Sequence, residues 1–325
     1  VRNIIDMTSQ EILKSKYRGC MLGVAIGDAL GKQNEGLGRS GILERGFITD
    51  YAKAQAGCPG EYLEAGEYTD DTEQMLLLAI SLVECNGFNG EDFAKRIARW
   101  GEDTMKNSFR KNLIGPSSSA AIKKLVSGTG WRESGSAIPS CGSAMRVAPL
   151  GLFYRTLDEV EENAVLSSLP THKSDAAIAG AVAVAVAVRC AVLGMDCRDI
   201  IREASQRASK YDAGLGEKIE VSYMKRESEP DDAFSELGTS YLVNETVPSA
   251  FYCFSRHSGN PGKAITEAVN AGGDTDSIAC ITGALSGAVN GAGALPEKWV
   301  KGLFNCGKVE RVAGMVFESS VSHSE

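Results

Sequence analysis

Apolar residues recur at helical spacing along most of this chain, and sustained alternation of apolar and polar positions is scarce. After Thr69-Asp70-Asp71 comes Glu73-Gln-Met-Leu-Leu-Leu-Ala-Ile-Ser-Leu-Val83, too long and too leucine-rich for a strand. It predicts a helix with Thr69 or Asp70 at the N-cap and acids in the first turn, where the helix dipole favours them. Residues 92–105 and 113–126 read as amphipathic helices, the second with a Gly115-Pro116 start. Residues 174–193 are rich in Ala and Val; the alternation there is compatible with a strand, but length and alanine content favour a buried helix. Long loops are expected at 31–68 and 127–149.

Glycine recurs at every fourth position in two places: Gly19, Gly23, Gly27 and Gly31, then Gly283, Gly287 and Gly291. On a helix each series lines one stripe. A glycine inside a helix costs about 1 kcal/mol against alanine, and close approach of a neighbouring backbone would offset that. Both stretches are therefore expected at the centre of the fold, meeting each other. The reading is an all-α, single-domain helical bundle over residues 1–325, its core at about 12–310 and its ends frayed at 1–10 and 315–325.

Composition narrows the function. With 43% hydrophobic and 23% charged residues the chain buries a core, and a formal charge of −8 argues against a general nucleic-acid binder. An anionic ligand would need local cations, helix N-termini or metal ions. Nine scattered cysteines without C-x-x-C spacing and only three histidines argue against a zinc cage and for a reducing, cytoplasmic compartment. Lys14, Lys16 and Arg18 before an apolar run mimic a signal peptide, but Asp28 cuts the run short. The apolar run from Ala176 to Val188 ends at Arg189, too short to cross a bilayer. A soluble protein with no membrane partner is expected.

Two acidic clusters carry candidate chemistry. Thr69-Asp70-Asp71-Thr72 precedes one apolar helix and Gly272-Gly273-Asp274-Thr275-Asp276-Ser277 another. Either alone is accounted for by helix capping. Taken as a pair, they carry four carboxylates close to a core, which repel one another and need cations. Four aspartates would balance two divalent ions, and a donor set of carboxylates and hydroxyls suits Mg²⁺ or Mn²⁺ rather than zinc. Sequence alone leaves open whether the clusters meet.

Here the chain resembles a family. Gly19-Cys-Met-Leu-Gly-Val-Ala-Ile-Gly-Asp-Ala-Leu-Gly-Lys-Gln-Asn-Glu35, Tyr68-Thr-Asp-Asp-Thr72, Gly272-Gly-Asp-Thr-Asp-Ser277, Gly283-Ala-Leu-Ser-Gly-Ala288 and Leu295-Pro-Glu-Lys-Trp299 look like signatures of the ADP-ribosylglycohydrolases, which include the dinitrogenase-reductase-activating glycohydrolases. The ordered set spans about residues 12–300. The resemblance implies a compact all-α fold with a two-metal centre, two Mg²⁺ or Mn²⁺, in a cleft. The family's metal ligands map onto Thr69, Asp70, Asp71, Asp274, Asp276 and Ser277, the last often threonine in relatives. It implies Glu35 as the residue that orients a ribose hydroxyl or assists proton transfer, with Glu35, Asp70 and Asp276 as the catalytic set. The substrates it implies are an ADP-ribosylated protein or a small-molecule ADP-ribose conjugate.

Ser140-Cys141-Gly142-Ser143-Ala144-Met145-Arg146 resembles the family's Gly-Asn-Gly-x-x-Met-Arg phosphate loop, but Ser-Cys replaces Gly-Asn. The resemblance makes Gly142, Ser143, Met145, Arg146 and His172 substrate-binding candidates; for Arg146 an internal salt bridge is the competing role. Asp28 is either structural or a support for the metal ligands. Phe251, Tyr252 and Phe254 could stack on adenine or belong to the core. His257 is expected in an exposed turn. A Cys141–His172 thiol hydrolase pair finds no orienting group. The resemblance points to hydrolysis of the glycosidic bond between ADP-ribose and an acceptor, arginine by default. The alternatives are a silent, crystallin-like binding member of the fold and a hydrolase of free ADP-ribose derivatives.

Overall fold

Sixteen α-helices and no β-strand make up the described residues of the computed structural model, which are 2–54 and 56–322, with side chains from Ser9 onward. In chain order they are α1 (Arg2–Gly31), α2 (Arg39–Arg45), α3 (Asp70–Cys85), α4 (Gly90–Lys106), α5 (Pro116–Val126) and α6 (Ala148–Phe153). Then follow α7 (Leu157–Ser168), α8 (Asp175–Val192), α9 (Cys197–Ala208), α10 (Ala213–Met224) and α11 (Pro230–Leu237). The last five are α12 (Val243–Arg256), α13 (Pro261–Val269), α14 (Thr275–Asn290), α15 (Glu297–Gly302) and α16 (Cys306–Ser322).

The two glycine stripes meet, as their spacing suggested. A Cβ placed on Gly23 would lie 2.0 Å from the Gly283 carbonyl oxygen, and one on Gly283 equally close to that of Gly23. Gly19 lies against Gly287, Gly27 against Ala279 and Gly31 against Thr275, so α1 and α14 run antiparallel with their backbones in contact. Gly291 departs from the expectation: α14 ends at Asn290, and Gly291 follows it at φ +77. A helix stop needs a residue that tolerates positive φ, and glycine supplies it.

Around this pair the other helices pack by their apolar faces. α8 is helical, not extended; Ser174 Oγ accepts from the Ala177 amide at 3.2 Å to cap it. Its 18 residues are apolar and long enough to cross a membrane, but 83% of that stretch is buried against the rest of the fold, α7, α9, α6 and α14 included. The helix extends beyond the apolar run 176–188 and through Arg189, which donates to the Arg155 carbonyl at 3.0 Å.

The ends are helical where fraying was expected. α16 packs on α1 and α3, with Val316 and Ser320 buried, and Tyr17 Oη meets Ser320 Oγ at 3.1 Å. The α1 backbone is helical from Arg2; Val1, the side chains before Ser9 and residues 323–325 lie outside the described residues.

Candidate active site

The antiparallel α1–α14 contact decides where the acidic turns go. It lays the C-terminal end of α1 on the N-terminal end of α14, where Thr275 Oγ1 donates to the Gly31 carbonyl at 2.7 Å. Beyond Gly31 the chain turns. The Gly36 amide donates to the Gly273 carbonyl at 2.8 Å, and the Gly273 amide to that of Leu37 at 2.8 Å. Gly273 has φ +71, and a Cβ there would lie 2.1 Å from the Thr239 carbonyl oxygen, which accepts from the Asp274 amide. Only glycine fits this position. The result sets Glu35 and Asp276 in the wall of one cavity.

The first cluster is joined through Asp28, one turn before the end of α1. Its carboxylate accepts from the Thr69 amide (2.9 Å), Thr69 Oγ1 (2.8 Å), the Thr72 amide (3.0 Å) and Thr72 Oγ1 (2.5 Å). Thr69 holds the N-cap position of α3, but its hydroxyl donates to Asp28 instead of accepting from the helix. The cap of α3 thus comes from another helix. Having given its proton to Asp28, Thr69 Oγ1 has only lone pairs to offer elsewhere.

Both turns open on one cavity of about 370 Å³. Glu35, Asp70, Asp71, Asp274, Asp276 and Ser277 line it, together with Ser117, Cys141, Gly142, Met145 and His172. Ile138 and Tyr241, both largely exposed, stand in its wall. An open groove of about 490 Å³ lies elsewhere, lined by Arg39, Phe47, Lys263 and Trp299, and shares none of these acids. Burial and the neighbouring charges push Asp70, Asp71 and Asp276 well above the usual carboxylate range. Burial, then the Asp274 charge, lifts Glu35 to about 8.

The chemistry of the donors fits hard divalent cations. Asp71 Oδ2 is buried without a hydrogen-bond partner, an unmet demand of the kind a cation satisfies. No lysine or arginine is among the residues lining the cavity. The side-chain donors of the two acidic turns and Glu35 are all carboxylate or hydroxyl oxygens; Cys141, Met145 and His172 stand in the same wall. Among the described residues no three His, Cys, Asp or Glu side chains are arranged to hold a metal ion together.

Several expected ligand-binding residues lie differently. Arg146 is buried, is absent from the cavity wall and makes no hydrogen bond to an acid. It donates to Gln74 Oε1 (2.6 Å), the Ser167 carbonyl (3.1 Å) and Thr171 Oγ1 (2.6 Å), with the Phe93 ring 5.2 Å away. The expected salt bridge is replaced by neutral acceptors. Ser143 Oγ is spent on the Ala177 carbonyl at 3.1 Å and is absent from the cavity wall. Gly142 and Met145 do line it, and a Cβ on Gly142 would lie 2.6 Å from the His172 ring. His172 is fully buried, its Nε2 3.0 Å from Ser140 Oγ and its Nδ1 2.9 Å from Thr171 Oγ1. Burial, aided by the Arg146 charge, holds it down at about 3, so the imidazole is neutral.

Cys141 Sγ donates to Asp274 Oδ2 at 3.0 Å and has no bond to His172, which removes the thiol pair. Phe251, Tyr252 and Phe254 are fully buried in α12 and are core, because helical spacing turned that face inward. His257 is not in an open turn: its Nε2 meets Glu267 Oε2 at 2.8 Å.

Gln74 was missed. It donates to Asp70 Oδ2 at 2.8 Å from one turn along α3, an i,i+4 relation that was legible. Ser117 at the start of α5 and Thr246 Oγ1, 3.3 Å from Asp274 Oδ2, had no such local signal.

A profile of the ADP-ribosylglycohydrolase family matches residues 9–325. The chain belongs to the ADP-ribosylglycohydrolase family. Among its relatives, ADP-ribosylhydrolase ARH3 of Homo sapiens is 28% identical, with 88% of each chain covered. ADP-ribosylarginine hydrolase Tri1 of Pseudomonas putida is 30% identical, over 96% of this chain and 80% of its own. A solved ADP-ribosylglycohydrolase-related protein complex superimposes with TM-score 0.80 at 25% identity, covering 95% of this chain and 99% of that one. Members of the family with assigned activity among these are ADP-ribosyl hydrolases, and the fold here is theirs.

Proposed function

We propose that this chain hydrolyses the glycosidic bond joining ADP-ribose to an acceptor, most simply the guanidinium of a modified arginine. One observation carries the reading: acidic turns about two hundred residues apart meet in one cavity with Glu35, and Asp71 Oδ2 is buried there without a partner. The arginine linkage is favoured by the name of the Pseudomonas putida relative; free ADP-ribose derivatives are the neighbouring substrates.

In this reading Thr69, Asp70 and Asp71 on one side and Asp274, Asp276 and Ser277 on the other would hold two Mg²⁺ or Mn²⁺ ions. When bound, such ions supply Lewis-acid charge next to ribose hydroxyls and water. The protein's own share is orientation. Glu35 stands at the lip of the α1–α14 junction, where its carboxylate can accept from a ribose hydroxyl. Gly142 and Met145 wall the side toward the diphosphate, and neutral His172 adds no charge there. Hydrolysis breaks the bond from the anomeric carbon to the acceptor nitrogen and forms one to a water oxygen. The electron pair leaves with the nitrogen, and the water's proton balances it. The expanding positive charge at the ribose is offset by the surrounding carboxylates.

The test is release of ADP-ribose from arginine- and serine-linked substrates with Mg²⁺, Mn²⁺ or excess chelator. Release from arginine that stops with chelator supports the proposal. Full activity in chelator contradicts it, and no release from any conjugate in any arm favours the silent member of the fold.

A further inference from the structure

Behind the cavity lies a line of buried polar side chains of which the proposed chemistry uses only the first, Asp70. It runs from Asp70 through Gln74, Arg146, Thr171, His172 and Ser140 to Ser117. None of the five intermediate side chains is more than 8% exposed. The contacts made by Arg146 have one possible direction, because a guanidinium donates and never accepts.

We propose that Arg146 is a positioning residue that sets the direction of this whole relay and thereby holds His172 as the neutral Nε2–H tautomer. The argument runs outward from the guanidinium. On one arm Gln74 must turn its oxygen to Arg146 (2.6 Å), which turns its amide nitrogen to Asp70 Oδ2 (2.8 Å). Asp70 is thereby held from behind by a donor. On the other arm Thr171 Oγ1 spends a lone pair on Arg146 (2.6 Å), leaving its proton for His172 Nδ1 (2.9 Å). Nδ1 is then the acceptor, so the ring proton sits on Nε2 and is donated to Ser140 Oγ (3.0 Å).

The far end agrees independently. Ser140 Oγ donates to Ser117 Oγ at 2.9 Å, so Ser140 has no proton to give the ring and must accept from it. Ser117 keeps its hydroxyl proton as the free end of the relay, a donor in the cavity wall. The reversed chain would strand the Thr171 proton in the interior, at the cost of an unsatisfied buried donor. The neutrality of His172 is consistent with its burial beside the Arg146 charge. Only the consequence for ligand binding rests on the function proposed above; the tautomer does not.

The experiment is ¹⁵N NMR of histidine-labelled protein at neutral pH, with His257→Asn and His323→Asn used to assign His172. Wild type should show Nδ1 unprotonated and Nε2 protonated. Arg146→Lys, also a pure donor, should keep that state. Arg146→Gln, which can donate or accept, should give mixed tautomers and bind ADP-ribose about tenfold more weakly in calorimetry. An Nδ1–H or doubly protonated His172 in wild type overturns the proposal, as does Arg146→Gln with both tautomer and affinity unchanged. If Arg146→Gln does not fold, the wild-type assignment decides by itself. An Nε2–H ring in a protein that does not bind ADP-ribose would sustain the relay and count against the functional reading alone.

Discussion

Gly23 and Gly283 face each other across the α1–α14 crossing with no room for a methyl group on either, a Cβ lying 2.0 Å from the opposite carbonyl oxygen. That contact brings the end of one helix to the start of the other, and with it Glu35 to Asp276. Gly23→Ala gains about 1 kcal/mol of helix propensity. Against this the two backbones must separate, and overpacking of a rigid contact costs about 1–3 kcal/mol or more. The second effect wins because a backbone carbonyl cannot swing aside as a side chain can. A drop in the thermal midpoint is expected for Gly23→Ala. Gly314→Ala in α16, where nothing lies within 4 Å, should leave it level or raise it.

Asp28 caps α3 from outside and accepts four donors. Asp28→Asn retains the shape but offers one accepting oxygen and sets an amide donor against threonine donors. A loss of about 2 kcal/mol in denaturant unfolding is expected. Binding of Mn²⁺ should weaken at the same time, since Thr69 loses its orientation. Unchanged stability would mean that the cap does not hold the α3 start.

The carboxylate cluster should respond to cations as a folding linkage. Ions that bind only the native state stabilise it by about 2.7 kcal/mol at a hundredfold excess over Kd. Millimolar Mg²⁺ or Mn²⁺ should raise the midpoint of the wild-type protein and leave Asp70→Asn or Asp276→Asn nearly unmoved. The same variants should lose ADP-ribose release. A wild-type midpoint indifferent to both metals would refute the cation site.

His172 makes a pH prediction of definite sign. Its ordinary value of 6.5 falls to about 3 in the fold, because burial penalises the charged ring. The unfolded chain therefore takes up a proton that the folded chain refuses. Stability linked to His172 is complete above about pH 6.5 and drains away as pH falls toward 3, by up to about 1.4 kcal/mol per pH unit. Measured as a difference, the stability of wild type minus that of His172→Gln should shrink from pH 7.5 to pH 5. A constant difference would show that the ring titrates normally.

The sequence alone determined α3, α4, α5, α8 and the glycine-striped α1 and α14, because their apolar periodicity is local, whereas α2 lies inside the loop expected at 31–68. The glycine stripes, being surfaces of single helices, also announced that two backbones would touch. The acidic turns were visible as residues, and the i,i+4 placement of Gln74 behind Asp70 was readable too. Only the tertiary structure decided that the turns share a cavity, since that depends on the antiparallel sense of α1 and α14 and on Asp28 reaching across to α3. It also decided against Arg146 and Ser143 as ligand contacts and put Phe251, Tyr252 and Phe254 in the core. A motif specifies which side chains are present; which way each one points is set by the donors and acceptors that packing brings from distant parts of the chain.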